Sequence, residues 1–285
     1  MQISYHYLKA FTRQNKGGNP AAIVTTDGLS DAQKQEIAGK IGFSETAFIS
    51  RKNGRWFIEF YTPEKSIAYC GHATIAAFNL LRNEGLMEVG RHSILTKHDP
   101  IDIVISDSMV QMEQAYPIFF EVNKHEIASF TGLPLQEIRR AVIARNGVGY
   151  LLIELDDAEK LYSLEIDESA VYSFSEENDL IGIYPFAKKD AKIYSRMFAP
   201  FYGIKEENAT GMAAGLSGGW LHLLSGNTES AFTIEQGYSA AMKERGILDV
   251  EITSNDNAKR VLVGGQAFCV SRETISILAP VISLK

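Results

Sequence analysis

Cys70-Gly71-His72-Ala73-Thr74-Ile75-Ala76-Ala77 and Glu206-Glu207-Asn208-Ala209-Thr210-Gly211-Met212-Ala213-Ala214 are two versions of one pattern, a polar head group followed by small residues where a helix is expected to begin. The first turn of a helix leaves its leading N–H groups without intrahelical acceptors and carries partial positive charge, so a carboxylate can rest against it. Two such tips in one chain predict a site that holds an acid. The helix expected over 73–83 is apolar nearly all round, which implies burial within a surrounding sheet, and 212–225 supplies its counterpart.

Around these helices lie short alternating or apolar runs of strand length, among them 3–11, 46–50, 56–61, 101–105, 150–154, 231–236 and 260–269. Ser30 followed by Gln33 reads as a capping box opening a helix through 40, with Gly39 and Gly42 near its end. Helices are also expected over 121–130 and 134–139, and Asn146-Gly147 marks a tight turn between two strands. Strands, a buried helix and more strands, repeated, fit an α+β fold better than a doubly wound sheet. The expected architecture is two pseudo-symmetric lobes, each a curved, mostly antiparallel sheet or barrel wrapped around a central helix. The first lobe spans 1–120, joined by a last strand at about 270–285 crossing back to it, and the second spans 121–269. A ligand cleft is expected between them.

At 285 residues, with 45% hydrophobic and 22% charged residues, the chain is of ordinary globular composition and large enough for two lobes. A formal net charge of −7 excludes a nucleic-acid binder that relies on a basic surface, so any anionic ligand must be held by local groups. Residues 1–11 contain no apolar leader core, and the apolar run 275–284 is short and contains Pro280, so no membrane span is expected and the protein is read as cytoplasmic. Only Cys70 and Cys269 occur, and a disulfide is not expected. The histidines show no HExxH-like or clustered spacing, so no metal site is expected.

Taken in order, Gly18-Asn19-Pro20-Ala21-Ala22, Ser44-Glu45-Thr46-Ala47-Phe48, Tyr61-Thr62-Pro63, the Cys70 motif, Arg196-Met197-Phe198-Ala199-Pro200, Ala209-Thr210-Gly211, Glu235-Gln236-Gly237 and Gly264-Gly265-Gln266-Ala267 resemble the PhzF family of phenazine-biosynthesis-like proteins, which share the diaminopimelate epimerase fold. The resemblance implies an active site in the cleft, no metal or organic cofactor, a homodimer, and isomerase chemistry on a small carboxylate-bearing substrate.

Glu45 matches the family's acid/base glutamate, and its neighbours Phe43 and Phe48 predict lost hydration and a raised pKa. His72 stands where an imidazole can donate to a substrate oxygen or relay a proton. Cys70 is open between lining the site and acting as a base, as a cysteine at this place does in the related epimerases. Glu207 replaces the family's aspartate, Asn208 its proline and Met212 its serine, which lengthens one carboxylate arm by roughly 1.5 Å and removes a hydroxyl donor. With Glu45, His72 and Glu207 as catalytic residues, the expected substrate contacts are Gly18, Asn19, Cys70, Gly71, Ala73, Thr210, Gly211 and Met212, with amides at 71, 210 and 211 cradling negative charge. Arg196 divides between a strand-end ion pair and a carboxylate contact. Two alternatives remain open: a two-base epimerase or racemase pairing Cys70 with Glu207, and a small-molecule binding protein without catalysis.

Overall fold

Ser30 and Gln33 open the first helix as their spacing predicts. The Ser30 hydroxyl accepts from the Gln33 N–H at 3.3 Å, the Gln33 side chain accepts from the Ser30 N–H at 3.0 Å, and Gly42 closes the helix in the left-handed region. The computed structural model describes residues 1–239, 241–242, 244–255 and 258–277, so the part of the expected last strand beyond 277 lies outside the described residues. Its contacts divide the chain into two units. One comprises Met1–Ala10, Pro20–Val110 and the chain from Gln266 on, the other Phe11–Asn19 and Gln111–Gly265.

In the first unit, strands β1 (Gln2–Thr12), β2 (Asn19–Thr25), β3 (Thr46–Lys52), β4 (Arg55–Tyr61) and β5 (Ser66–Ile67) lie in the order β5-β4-β3-β2-β1. The first helix, α1 (Asp31–Ile41), connects β2 to β3, which pair in parallel with Ala22 opposite Thr46, as a crossover helix permits. Helix α2 (Gly71–Asn83) is buried at every residue from His72 to Leu81. An antiparallel pair, β6 (Gly90–Ile94) and β7 (Ile101–Ile105), follows it.

The chain then runs through β8 (Val110–Ala115), β9 (Ile118–Glu121), α3 (Lys124–Thr131), β10 (Ile138–Arg145), β11 (Gly149–Leu155), α4 (Ala158–Ser163), α5 (Glu168–Glu177), β12 (Gly182–Lys189), β13 (Lys192–Ser195), α6 (Gly211–Leu224), β14 (Ala231–Gln236), β15 (Gly246–Asn255) and β16 (Ala258–Ser276). In the second unit the strand order is β15-β14-β13-β12-β11-β10-β9, parallel only at β11/β12 and β13/β14. Like α2, α6 is almost wholly buried. The fold is therefore α+β, with one buried apolar helix and a mostly antiparallel set of strands in each unit. No helix among the described residues is long and apolar enough to cross a membrane.

Three local expectations change. Residues 134–139 make only a 3-10 turn, Leu135–Glu137, because Ile138 onward pairs with β11 and buries Ile138 and Val142. Helix α3 starts at Lys124, since Asn123 caps it and Glu121 is taken by pairing with Val142. Helices α4 and α5 were not anticipated; Asp157 and Asp167 cap them by accepting backbone N–H groups.

Helix α6 approaches the strands closely because its facing side is glycine. A Cβ at Gly218 would lie 2.4 Å from Cγ1 of Val250 on β15. Alanine at Gly218 gains up to about 1 kcal/mol of helix propensity, while overpacking costs about 1–3 kcal/mol. Gly218→Ala is therefore expected to lower stability, read as a lower urea midpoint with an unchanged slope.

Candidate active site

The predicted residues fall into two groups, each assembled within one unit. In the first, Cys70 is the extended residue preceding α2, and Glu45 immediately precedes β3, where its carbonyl accepts from the Ala22 N–H at 3.2 Å. These anchors bring three side chains together. His72 Nε2 lies 3.1 Å from Glu45 Oε2, and the Cys70 Sγ lies 3.6 Å from His72 Nδ1 and 3.8 Å from Nε2. His72 and Cys70 are buried, whereas the Glu45 side chain is 20% exposed. Glu45 Oε2 is itself buried and has no well-directed hydrogen bond, and its 3.1 Å contact with His72 is an ion pair. A carboxylate oxygen in that condition has a lone pair ready for a proton.

Burial works to raise the Glu45 carboxyl, but the contact and charge of His72, helped by Ser44, outweigh it and hold the group below the usual glutamate value. The raised value expected from Phe43 and Phe48 is corrected for a physical reason: Phe43 packs edge-on against Tyr7 at 4.8 Å and Phe48 against Tyr61 at 5.3 Å. Burial pushes His72 down, yet Cys70 and Glu45 push it up further, leaving it well above the ordinary histidine value. Burial raises the Cys70 thiol above its ordinary value, with the charge of His72 opposing it.

Glu45 contributes stability above its ordinary pKa that is lost as pH falls through its lowered value. His72 contributes below its ordinary pKa, and this is lost as pH rises through its raised value. In His72→Asn the cause of the lowering is gone and burial remains, so the Glu45 carboxyl is expected to titrate at higher pH than in wild type. A 13C NMR titration of the Glu45 carboxyl checks this, and an unchanged midpoint contradicts it.

The second group surrounds Thr210, the extended residue before α6. Asn19 Nδ2 donates to Glu207 Oε1 at 2.9 Å and to the Ala209 carbonyl at 3.1 Å, and the Thr210 hydroxyl donates to Glu207 Oε2. Gln236, fully buried, donates from Nε2 to the Thr210 hydroxyl and to the Glu207 carbonyl, each at 2.9 Å, and its Oε1 accepts the Thr210 N–H at 2.9 Å. Because Thr210 Oγ1 accepts from Gln236, its proton is directed at Glu207, which fixes the polarity of the chain. The Thr210 amide is thus engaged inside the protein, and Gly211 is the first helical amide of this tip. Gly18 donates its N–H to the Arg245 carbonyl at 2.8 Å, and Gly17 beside it has φ +70° with a Cβ position 1.9 Å from that carbonyl, so only glycine fits. Met212 is half-buried one residue into α6, and Ala73 is fully buried in α2.

Arg196 is held by Glu206 rather than left open for a ligand, with Nε and Nη2 on the two carboxylate oxygens at 2.8 and 2.9 Å. Gln236 carried no assigned role in the sequence, although it stood within the Glu235-Gln236-Gly237 motif; its contact with Thr210, 26 residues away, is what gives it one.

Residues 8–273 match the family described as phenazine biosynthesis-like protein, PhzC-PhzF. The chain is 31% identical to the uncharacterized isomerase YddE of Salmonella typhimurium, covering 94% of this chain and 96% of that protein. Its fold is similar to the crystal structure of a PhzF-family phenazine biosynthesis protein from Bacillus anthracis, at 24% identity and a TM-score of 0.86 over 97% of this chain and 100% of that one. It is also similar in fold to a hydroxyproline epimerase from Agrobacterium vitis, at 10% identity and a TM-score of 0.60 over 98% and 94% of the two chains.

Proposed function

The chain belongs to the phenazine biosynthesis-like family, PhzC-PhzF, and on that premise we propose that it is an isomerase in which Glu45 moves a proton between carbons of a small carboxylate-bearing molecule. The observation that carries the reading is Glu45 Oε2, buried, held in charged form beside His72, and free of a well-directed hydrogen bond. Proton abstraction from carbon needs a carboxylate that is ionised and poorly solvated, and both conditions are supported here. His72, as the charged partner, stabilises the ionised state and donates to the oxygen on which negative charge develops. The amide at the start of α2, Gly71, receives the substrate carboxylate beside Glu45 and His72. One carboxylate serving both proton steps suits a double-bond or tautomer shift on one face.

The two-base alternative is disfavoured because Cys70 is buried with its thiol raised, whereas a base must be deprotonated and reach substrate. The test is incubation in deuterated buffer with a panel of unsaturated cyclic acids and amino acids, read by mass spectrometry. Deuterium entering a carbon position together with a shifted double bond supports the reading. Inversion of configuration that is lost in Cys70→Ser moves it to the two-base mechanism, and a bound ligand that acquires no label overturns catalysis altogether.

A further inference from the structure

Cys70 occupies the cap position of α2, extended at φ −148° and ψ 110°, yet its side chain makes no capping hydrogen bond. Serine, threonine, aspartate or asparagine would stabilise the helix from this position, so the thiol forgoes a gain that a one-residue change would supply. Its backbone is nevertheless pinned, because the Cys70 carbonyl accepts the Thr74 N–H at 3.0 Å and the Thr74 hydroxyl at 2.7 Å. The side chain, 8% exposed, is thereby aimed at His72, with Sγ 3.6 Å from Nδ1 and 3.8 Å from Nε2. The two ring nitrogens point apart, so a sulfur almost equidistant from both is aligned with neither bonding direction and packs beside the ring. One polar atom from each of Glu45, Cys70 and His72 lies within 4.8 Å of the others, so the thiol borders the carboxylate as well.

The ring needs such a neighbour. Rotation of an imidazole about its Cβ–Cγ bond is broad and roughly two-fold, so the intrinsic preference of His72 does not select the orientation that brings Nε2 to 3.1 Å from Glu45 Oε2. A thiol is small, polarizable and a weak hydrogen-bonding group, which lets it fill the space beside the ring without competing for Glu45. We propose that Cys70 is a positioning residue: pinned at the α2 cap and packed beside His72, it holds the imidazole against the Glu45 carboxylate and takes no part in proton transfer itself. The kinetic half of this assignment rests on the proposed function; the geometric half does not. The groups that raise His72 are Cys70 from the cap and Glu45 from the residue before β3, and His72, helped by Ser44, is what holds Glu45 down. Loss of the thiol therefore acts on Glu45 in the same direction as loss of His72, through the ring.

The test compares Cys70→Ala and Cys70→Ser in full-length protein, with Cys70→Ala also placed in the His72→Asn background. Without substrate, the 13C titration of the Glu45 carboxyl is expected to move to higher pH in Cys70→Ala and to stay close to wild type in Cys70→Ser, which refills most of the gap. With a substrate that exchanges deuterium, Cys70→Ala is expected to lower kcat by about ten- to a hundredfold at a nearly unchanged KM, because the thiol orients the ring and does not touch the substrate. Cys70→Ser is expected to recover most of that rate. In the His72→Asn background, Cys70→Ala is expected to add less than about twofold, since a residue that acts through the ring has nothing left to position. An unmoved Glu45 midpoint in Cys70→Ala overturns the proposal, and so does its full kinetic cost in the His72→Asn background. A serine variant as inactive as the alanine one also overturns it, by assigning the thiol to proton transfer. If Cys70→Ala fails to fold, Cys70→Ser alone decides between a kept rate, which supports positioning, and a lost one, which does not. A shifted midpoint in a protein that exchanges no deuterium with any substrate fails the proposed function while leaving the positioning of His72 standing.

Discussion

Arg196→Met is expected to destabilise the protein by about 3–5 kcal/mol, the range for removing one partner from a buried ion pair. The two side chains are only 7% and 8% exposed, and the guanidinium meets Glu206 through two parallel hydrogen bonds. Its Nη1 donates to the carbonyls of Leu161 and Leu164 at 3.1 and 2.6 Å at the C-terminal end of α4, where Leu161 also accepts the Leu164 N–H. Methionine fills most of the volume but leaves the Glu206 charge without its partner and the Leu164 carbonyl without the Arg196 donor. The reciprocal change, Arg196→Met combined with Glu206→Met, removes both charges and is expected to regain part of the loss, because two apolar chains of similar volume do not carry the desolvation penalty. Urea unfolding of the single and double variants measures both. A single variant within about 1 kcal/mol of wild type would return Arg196 to the role of a ligand contact.

How much of this was legible in the chain depends on the range of the interaction. The Ser30/Gln33 box, the turn at Asn146-Gly147 and the buried helices at 71–83 and 211–224 are local signals, and each is present in the structure. Where a pairing partner along the chain decides the outcome, local pattern misleads: the helix expected over 134–139 yields at Ile138 to a strand paired with Leu155 of β11. The site divides in the same way. The head groups of both helix tips were visible as motifs, and the resemblance supplied Glu45. The bonds that set their chemistry are long-range, with Asn19 reaching Glu207 across 188 residues and Gln236 reaching Thr210 across 26. The lowered Glu45 carboxyl was misread because Phe43 and Phe48 were adjacent in sequence, while the residue that decides its charge, His72, is 27 positions away.

Glu45→Gln carries the largest expected loss of activity. A general base contributes about 10²–10⁴-fold to proton transfer, and the amide, with one oxygen replaced by NH2 and the other left as a neutral carbonyl, cannot accept a proton from carbon at neutral pH. Deuterium incorporation into the turned-over substrate is therefore expected to fall by that factor. Fold is expected to survive, because glutamine is nearly isosteric and the backbone anchor, the Glu45 carbonyl on the Ala22 N–H, is untouched. Glu45→Asp separates chemistry from charge: it keeps a carboxylate beside His72 but withdraws it by about one bond, roughly 1.5 Å. Because proton transfer requires heavy-atom contact near hydrogen-bond distance, the shorter acid is expected to lose most of the exchange while keeping the ion pair within electrostatic range. If Glu45→Gln exchanges as fast as wild type, the base is elsewhere. If both variants are equally dead and also unfolded, thermal melts will show it, and the comparison then passes to His72→Asn, where the carboxylate is intact and only its partner has been removed.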